Sequence, residues 1–155
     1  MPPMTTLFPA AVADVPLLAA MMPDLYHGDE HTPDATQWAA GVRGLISAPE
    51  HGRVWLIRMQ DELAGYVVLT FGYSLEYFGP YAFLDELYLL PAFRGRGIGT
   101  EVIAWLVAYA RRTGLRSLHL EVDEANADGQ RFYLARGFHY RGHMHLMSLA
   151  LDAAA

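Results

Sequence analysis

The segment Pro91-Ala92-Phe93-Arg94-Gly95-Arg96-Gly97-Ile98-Gly99-Thr100 constrains this chain more than any other. It joins a strand-like run, Tyr81 to Leu90, to an amphipathic one, Gly97 to Arg112. In the second run Ile98, Val102, Trp105, Leu106 and Tyr109 recur at helical spacing. A strand, a glycine-rich turn and a helix in that order make a cradle for an anion. Glycines at 95, 97 and 99 permit positive φ and close approach of a ligand to the backbone. Free N–H groups in the turn and at the helix start favour phosphate, and Arg94 and Arg96 add charge. The turn is not a dinucleotide fingerprint, because Thr100 stands where the third glycine belongs, and no lysine completes a P-loop. Taken alone, it could also be a flexible connection with two solvated arginines, or an RNA contact.

Composition narrows the chemistry. All 11 basic residues are arginine and there is no cysteine. This excludes a Walker-A lysine, a Schiff-base lysine, a thiol nucleophile, zinc–cysteine sites and iron–sulfur clusters. Seventeen acids give a net charge of −6, which argues against nucleic acid as a partner. At 155 residues and 53% hydrophobic, the chain is expected to form one domain, residues 1–155, with a substantial core. No signal-peptide pattern is visible, and no apolar run approaches the ~20 residues of a membrane span, so a cytoplasmic protein without membrane attachment is expected. His27-Gly28-Asp29-Glu30-His31 spells an inverted zinc-peptidase pattern. Gly28 and Asp29 are poor helix formers and Pro33 follows closely, so no metal site is expected there. His143 and His145 read as exposed residues of a late strand.

The remaining elements alternate. Thr5 to Phe8 reads as a strand. A helix capped by Asp14 runs to about Tyr26, and a second helix runs from about Pro33 to Ile46. Arg53 to Met59 and Glu62 to Phe71 form a hairpin about Gln60-Asp61. After the glycine turn and its helix come a strand, Ser117 to Val122, a short helix, Asn126 to Arg136, and one or two strands within His139 to Leu151. The fold class is α/β (α+β): a mixed, mostly antiparallel sheet of six to seven strands flanked by about four helices. In the short helix Asn126 and Tyr133 are seven residues apart, so they share an azimuth roughly 10 Å apart along the axis.

Together these residues resemble the GNAT family of acyl-CoA-dependent N-acetyltransferases. The resemblance rests on Leu84-Asp85-Glu86-Leu87-Tyr88-Leu89-Leu90-Pro91, then Arg94-x-x-Gly97-x-Gly99, then Asn126 followed by Phe132-Tyr133-Leu134-Ala135-Arg136-Gly137-Phe138. It implies acetyl-CoA as co-substrate, with its pyrophosphate on the N–H groups of Gly95, Arg96, Gly97, Ile98, Gly99 and Thr100 and with Arg94 nearby. By the same resemblance the pantetheine arm pairs with the backbone of Leu87, Tyr88 and Leu89, in a slot where neighbouring strands splay. Asn126 contacts the arm near its sulfur, a backbone N–H near Leu89 serves the oxyanion, and Tyr133 is the acid for the leaving thiolate. Gly129 departs from the family, which commonly has alanine there.

Amine acylation also needs a proton acceptor, because amines of pKa ~10 arrive charged. Asp85 and Glu86 lie on the expected donor strand, and alternation sends them to opposite faces, so only one can reach the slot directly; the resemblance allows either as base or ammonium anchor. Tyr26 to His31 and Tyr73 to Phe78 mix acids with aromatics and suit a cationic acceptor. The expected activity is direct acetyl transfer to a small amine; the alternative is a silent acyl-CoA-binding or regulatory module. Dimers are common in the family, and apolar final strands would permit a homodimer.

Overall fold

The computed structural model describes residues 4–26 and 32–151. Its Cα packing separates Met1–Glu121 from Val122–Ala155, and each unit is described by itself.

The first unit is built on a five-stranded sheet in the order β1 (Thr5–Pro9), β2 (Gly52–Met59), β3 (Glu62–Ser74), β4 (Gly79–Leu89), β5 (Ser117–His119). The first four strands are antiparallel neighbours, and β4–β5 is parallel. The β2–β3 turn is the predicted one: Gln60 and Asp61 both take positive φ, 50° and 70°, which matches the twist of a two-residue hairpin.

Helices cover both faces, which is why Val54 to Ile57 and Ala64, Tyr66 and Val67 to Leu69 are buried without a polar alternation. On one face α1 (Val15–Met21) and α2 (Ala35–Ser47) bring Val15, Leu18, Met21, Met22 and Val42 against Val54, Leu56, Tyr66, Val68 and Tyr88. On the other, α3 (Ile98–Arg112) buries Ile98, Val102, Ile103 and Leu106, and Trp105 meets Trp55 edge-on at 5.1 Å.

Two helix starts differ in how they are made. Asp34 accepts the Gln37 N–H at 2.9 Å while Gln37 Oε1 accepts the Asp34 N–H at 2.8 Å, a reciprocal cap that fixes the start of α2. Asp14 makes no such cap: its carboxylate accepts the Ala11 N–H, and α1 gives way at Met22–Leu25, around Pro23, to a 3-10 turn that ends before Tyr26.

The second unit holds α4 (Ala127–Leu134). The sheet therefore has five strands rather than six to seven. Ser117 to Val122 shortens to Ser117–His119, and residues 139–151 form no regular strand although Met144, Leu146, Met147 and Leu149 are exposed apolar residues. The alternating pattern there is sound strand chemistry, but a strand needs a partner edge as well as a pattern. Among the described residues, four α-helices and a mixed sheet agree with the expectation.

Candidate active site

The glycine turn is shaped by two left-handed residues. Gly95 and Gly97 have φ of 70° and 82°, and a Cβ at either would meet nothing within 4 Å. Glycine is needed here for the backbone angle, and the space outside it is open. Gly97 is the N-cap of α3 and has no side chain with which to cap it. The N–H groups of Ile98 and Gly99 thus begin the helix without a side-chain cap, the arrangement that favours an anion. Arg94 holds the turn against the sheet: its Nε donates to the Leu89 carbonyl at 2.9 Å and its guanidinium lies 5.5 Å over the Tyr88 ring. Arg96 lies over Phe93, which is buried under the turn.

The neighbouring strand has an open edge. β5 pairs with β4 only at Tyr81, Ala82 and Phe83, so from Leu84 to Leu89 that edge has no strand partner among the described residues. The N–H of Leu90 donates to Ala64 on β3. By the alternation of an antiparallel ladder, Leu87 and Leu89 turn their N–H and C=O groups to the open side. Beyond Phe83 this side of β4 is thus an edge of backbone donors and acceptors.

At Asp85 the strand carries a bulge. Val68 faces Glu86 and Leu69 faces Leu84, which leaves Asp85 as the extra residue. The bulge, rather than simple alternation, puts Leu84 and Glu86 on opposite faces and turns Glu86 toward α1 and α2. Glu86 is 7% exposed, whereas Asp85 is exposed. Tyr66, fully buried, donates its hydroxyl to Glu86 Oε1 at 2.7 Å; Tyr26 reaches Oε2 at 3.5 Å. Burial raises the Glu86 carboxyl above its ordinary 4.5 and the charge of Asp85 adds to this, while the two phenols act in the opposite sense. Asp85 is also raised, by desolvation. The Tyr66 hydroxyl is pushed far above the ordinary phenol range by burial and then by Glu86, so it stays a donor. Beside this pair Tyr88 donates to Asp24 at 2.9 Å, and Tyr26 packs against Trp38 with ring centroids 4.9 Å apart and planes tilted by 42°; the Trp38 indole nitrogen is buried with no hydrogen-bond partner among the described residues.

In the second unit Asn126 is the N-cap of α4, not its first helical residue, and its Oδ1 accepts the Gly129 N–H at 2.9 Å. A Cβ at Gly129 would stand 2.4 Å from the Asn126 amide nitrogen, so glycine is the residue that lets this side chain fold onto the helix. Tyr133 packs between Phe132 and Phe138 at ring distances of 5.1 and 5.7 Å, and burial raises its hydroxyl above the ordinary phenol value.

A family model described as the acetyltransferase (GNAT) family matches residues 16–138. The chain belongs to the GNAT acetyltransferase family. Among curated relatives, the aminoalkylphosphonate N-acetyltransferase of Salmonella typhimurium is 31% identical over 100 residues, 63% of this chain and 64% of that enzyme. The chain thus spans somewhat less than two thirds of that relative. Among solved structures, an integron cassette protein from the mobile metagenome of Cole Harbour Salt Marsh has a TM-score of 0.79 at 30% identity, covering 94% of this chain and 90% of that one. AAC(6')-Iy in complex with a bisubstrate analogue of coenzyme A and acetylneamine shares the fold, with a TM-score of 0.77 at 18% identity over 95% of this chain and 99% of that one.

Within the first unit the structure brings together the turn, the Leu87–Leu89 edge and Glu86. Of the two segments read as acceptor loops, Tyr26 lies beside Glu86, while residues 27–31, with the His27–His31 motif, fall outside the described residues. Tyr73 to Phe78 lies at the opposite end of β4, about 25 Å from Glu86 along the strand. His143 and His145 are exposed and lie in no strand. Sequence reading missed Tyr66, Asp24 and Trp38. Tyr66 and Trp38 sit among apolar residues and read as core; only strand pairing, Tyr66 with Tyr88, brings the first to Glu86.

Proposed function

We propose that the protein transfers an acetyl group from acetyl-CoA directly to the primary amine of a small, cationic acceptor within a ternary complex. The observation that carries this reading is Glu86, a buried carboxylate with a raised pKa, on the strand whose outer edge opens beside a left-handed glycine turn. A carboxylate whose pKa is raised by burial holds a proton more tightly than an exposed one, which suits it to accept a proton from an ammonium. The name of the Salmonella relative supports an amine acceptor.

The residues present fit acetyl-CoA. The N–H groups from Gly95 to Thr100, with Arg94 and Arg96, would receive its pyrophosphate, since positive φ and open space leave the turn approachable. The outward backbone of Leu87 and Leu89 would pair with the pantetheine arm, Tyr88 contributing backbone between them, and Asn126 would contact it nearer the sulfur. When bound, acetyl-CoA supplies an activated acyl group and a thiolate leaving group. Glu86 takes a proton from the acceptor ammonium, directly or through a water. The outward N–H near Leu89 stabilises charge on the acyl oxygen. By the family resemblance Tyr133, on α4 of the second unit, would be the hydrogen-bond donor to the sulfur. A thiol near pKa ~8.5 is a stronger acid than a raised phenol, so the O–H helps chiefly as a hydrogen bond formed while the C–S bond breaks.

The test is release of free coenzyme A thiol with a panel of small amines, peptides and amine-bearing antibiotics. Glu86→Gln is expected to lose about 10²- to 10⁴-fold in kcat with acetyl-CoA binding retained, and Tyr133→Phe to lower kcat likewise. Asp85→Asn is expected to change it little. Tight acetyl-CoA binding without turnover of any acceptor would assign the chain instead as a silent acyl-CoA-binding module.

A further inference from the structure

The two oxygens of Glu86 are held differently. Oε1 accepts a 2.7 Å hydrogen bond from Tyr66, a residue with no exposed surface on the central strand β3. Oε2 faces Tyr26 at 3.5 Å, the outer limit of a hydrogen bond. Tyr26 is half-buried, follows a 3-10 turn rather than sitting within a strand, and rests on Trp38. One phenol is fixed to its oxygen at 2.7 Å from within the sheet; the other stands at the long limit of a hydrogen bond to its own.

We propose that the two phenols divide the work on Glu86: Tyr66 is a positioning residue that locks Oε1, and Tyr26 is an exchangeable cover on Oε2 that an ammonium acceptor displaces. This rests on Glu86 being the proton acceptor. The acceptor's N–H takes the place of the Tyr26 O–H, and because N⁺–H to carboxylate is the stronger hydrogen bond, the exchange favours the cation. The displaced ring stays against Trp38, so the arriving ammonium meets the faces of two aromatic side chains. A neutral or anionic acceptor has no comparable claim on Oε2, which makes this pair the source of selectivity for cationic amines. Among the described residues, the charged and titratable groups around Glu86 are Asp24 on the 3-10 turn, Tyr26 just after it, Tyr66 on β3, Asp85 and Tyr88 on β4, and Arg94 over the Tyr88 ring. Among them only the two phenols hydrogen-bond the carboxylate.

The two roles predict opposite signatures when each hydroxyl is removed. In Tyr66→Phe, Oε1 loses its anchor: kcat falls by about 10- to 100-fold, the amine KM changes little, and the acidic limb of the pH profile moves to higher pH, because a donor to the ionised form is gone. In Tyr26→Phe a competitor for Oε2 is gone: the amine KM falls, and the acidic limb moves less than in Tyr66→Phe. Tyr26 is peripheral enough that this variant tests the proposal even where Tyr66→Phe folds poorly. Equal kcat losses in both variants, an acidic limb unmoved in Tyr66→Phe, or a large kcat loss in Tyr26→Phe overturn the division of roles. Full activity in Glu86→Gln instead overturns the assignment of the base itself, a separate result from the same assay.

Discussion

Glu86 shows what the site costs the fold. Its carboxyl is shifted upward, burial outweighing the two phenols, so the folded chain holds this proton more tightly than the unfolded one. The wild-type protein therefore loses stability as pH rises from the ordinary carboxylate value of 4.5 through the raised value, and the loss is complete above that window. Glu86→Gln removes the charge and keeps an oxygen that accepts the Tyr66 hydroxyl. At neutral pH the variant is expected to melt at a higher temperature than wild type while losing turnover. The gap should close below the ordinary carboxylate value, where both side chains are neutral. Thermal melts across pH check this, and a lower melting temperature at neutral pH would mean that the ionised carboxylate stabilises the fold. Its neighbour Asp85, the extra residue of the bulge, stays exposed while Glu86 is buried.

At the level of elements, the glycine turn and α3 act as one device, and backbone angle is its basis. Gly97→Ala puts a Cβ into open space, so packing does not resist it, but the φ of 82° does. The expected cost is about 1–2 kcal/mol of stability, read as a lower denaturant midpoint, with a raised KM for acetyl-CoA because the helix start no longer presents its N–H groups at the same angle. An unchanged midpoint would mean that the turn relaxes freely and is no rigid cradle. This element was legible from sequence because its signals are local: three glycines, a strand before, a stripe at helical spacing after. The Gln60-Asp61 hairpin and the Asp34 start of α2 were legible or nearly so for the same reason. The bulge at Asp85 was not, since it is a mismatch between two strands and has no signature in either alone. Tyr66 was hidden as a site residue because it comes to Glu86 from another strand, 20 residues away; Tyr26 was legible as part of an acceptor loop, but its meeting with Glu86 across 60 residues was not. The late strands failed in the other direction: residues 139–151 carry the right pattern, and pattern does not supply the pairing edge.

Over the whole molecule, what the chain lacks bears on how the acetyl group travels. A two-step route needs an enzyme nucleophile that takes the acetyl group and later surrenders it. The chain has no cysteine and no lysine, so the two side chains that most readily do this are missing. A serine or threonine would need an adjacent base, and the buried carboxylate on the donor strand is already held by two tyrosines. On the proposed reading donor and acceptor are bound together, with the glycine turn proposed for the phosphates following directly on the strand that carries the proposed base, Glu86. Initial velocities measured against acetyl-CoA at several fixed amine concentrations are accordingly expected to give intersecting double-reciprocal lines. Mass spectrometry of the protein incubated with acetyl-CoA alone should show no acetyl adduct that an added amine discharges. Parallel lines together with a dischargeable adduct would place a covalent step on a hydroxyl, and would require a base other than Glu86 beside it.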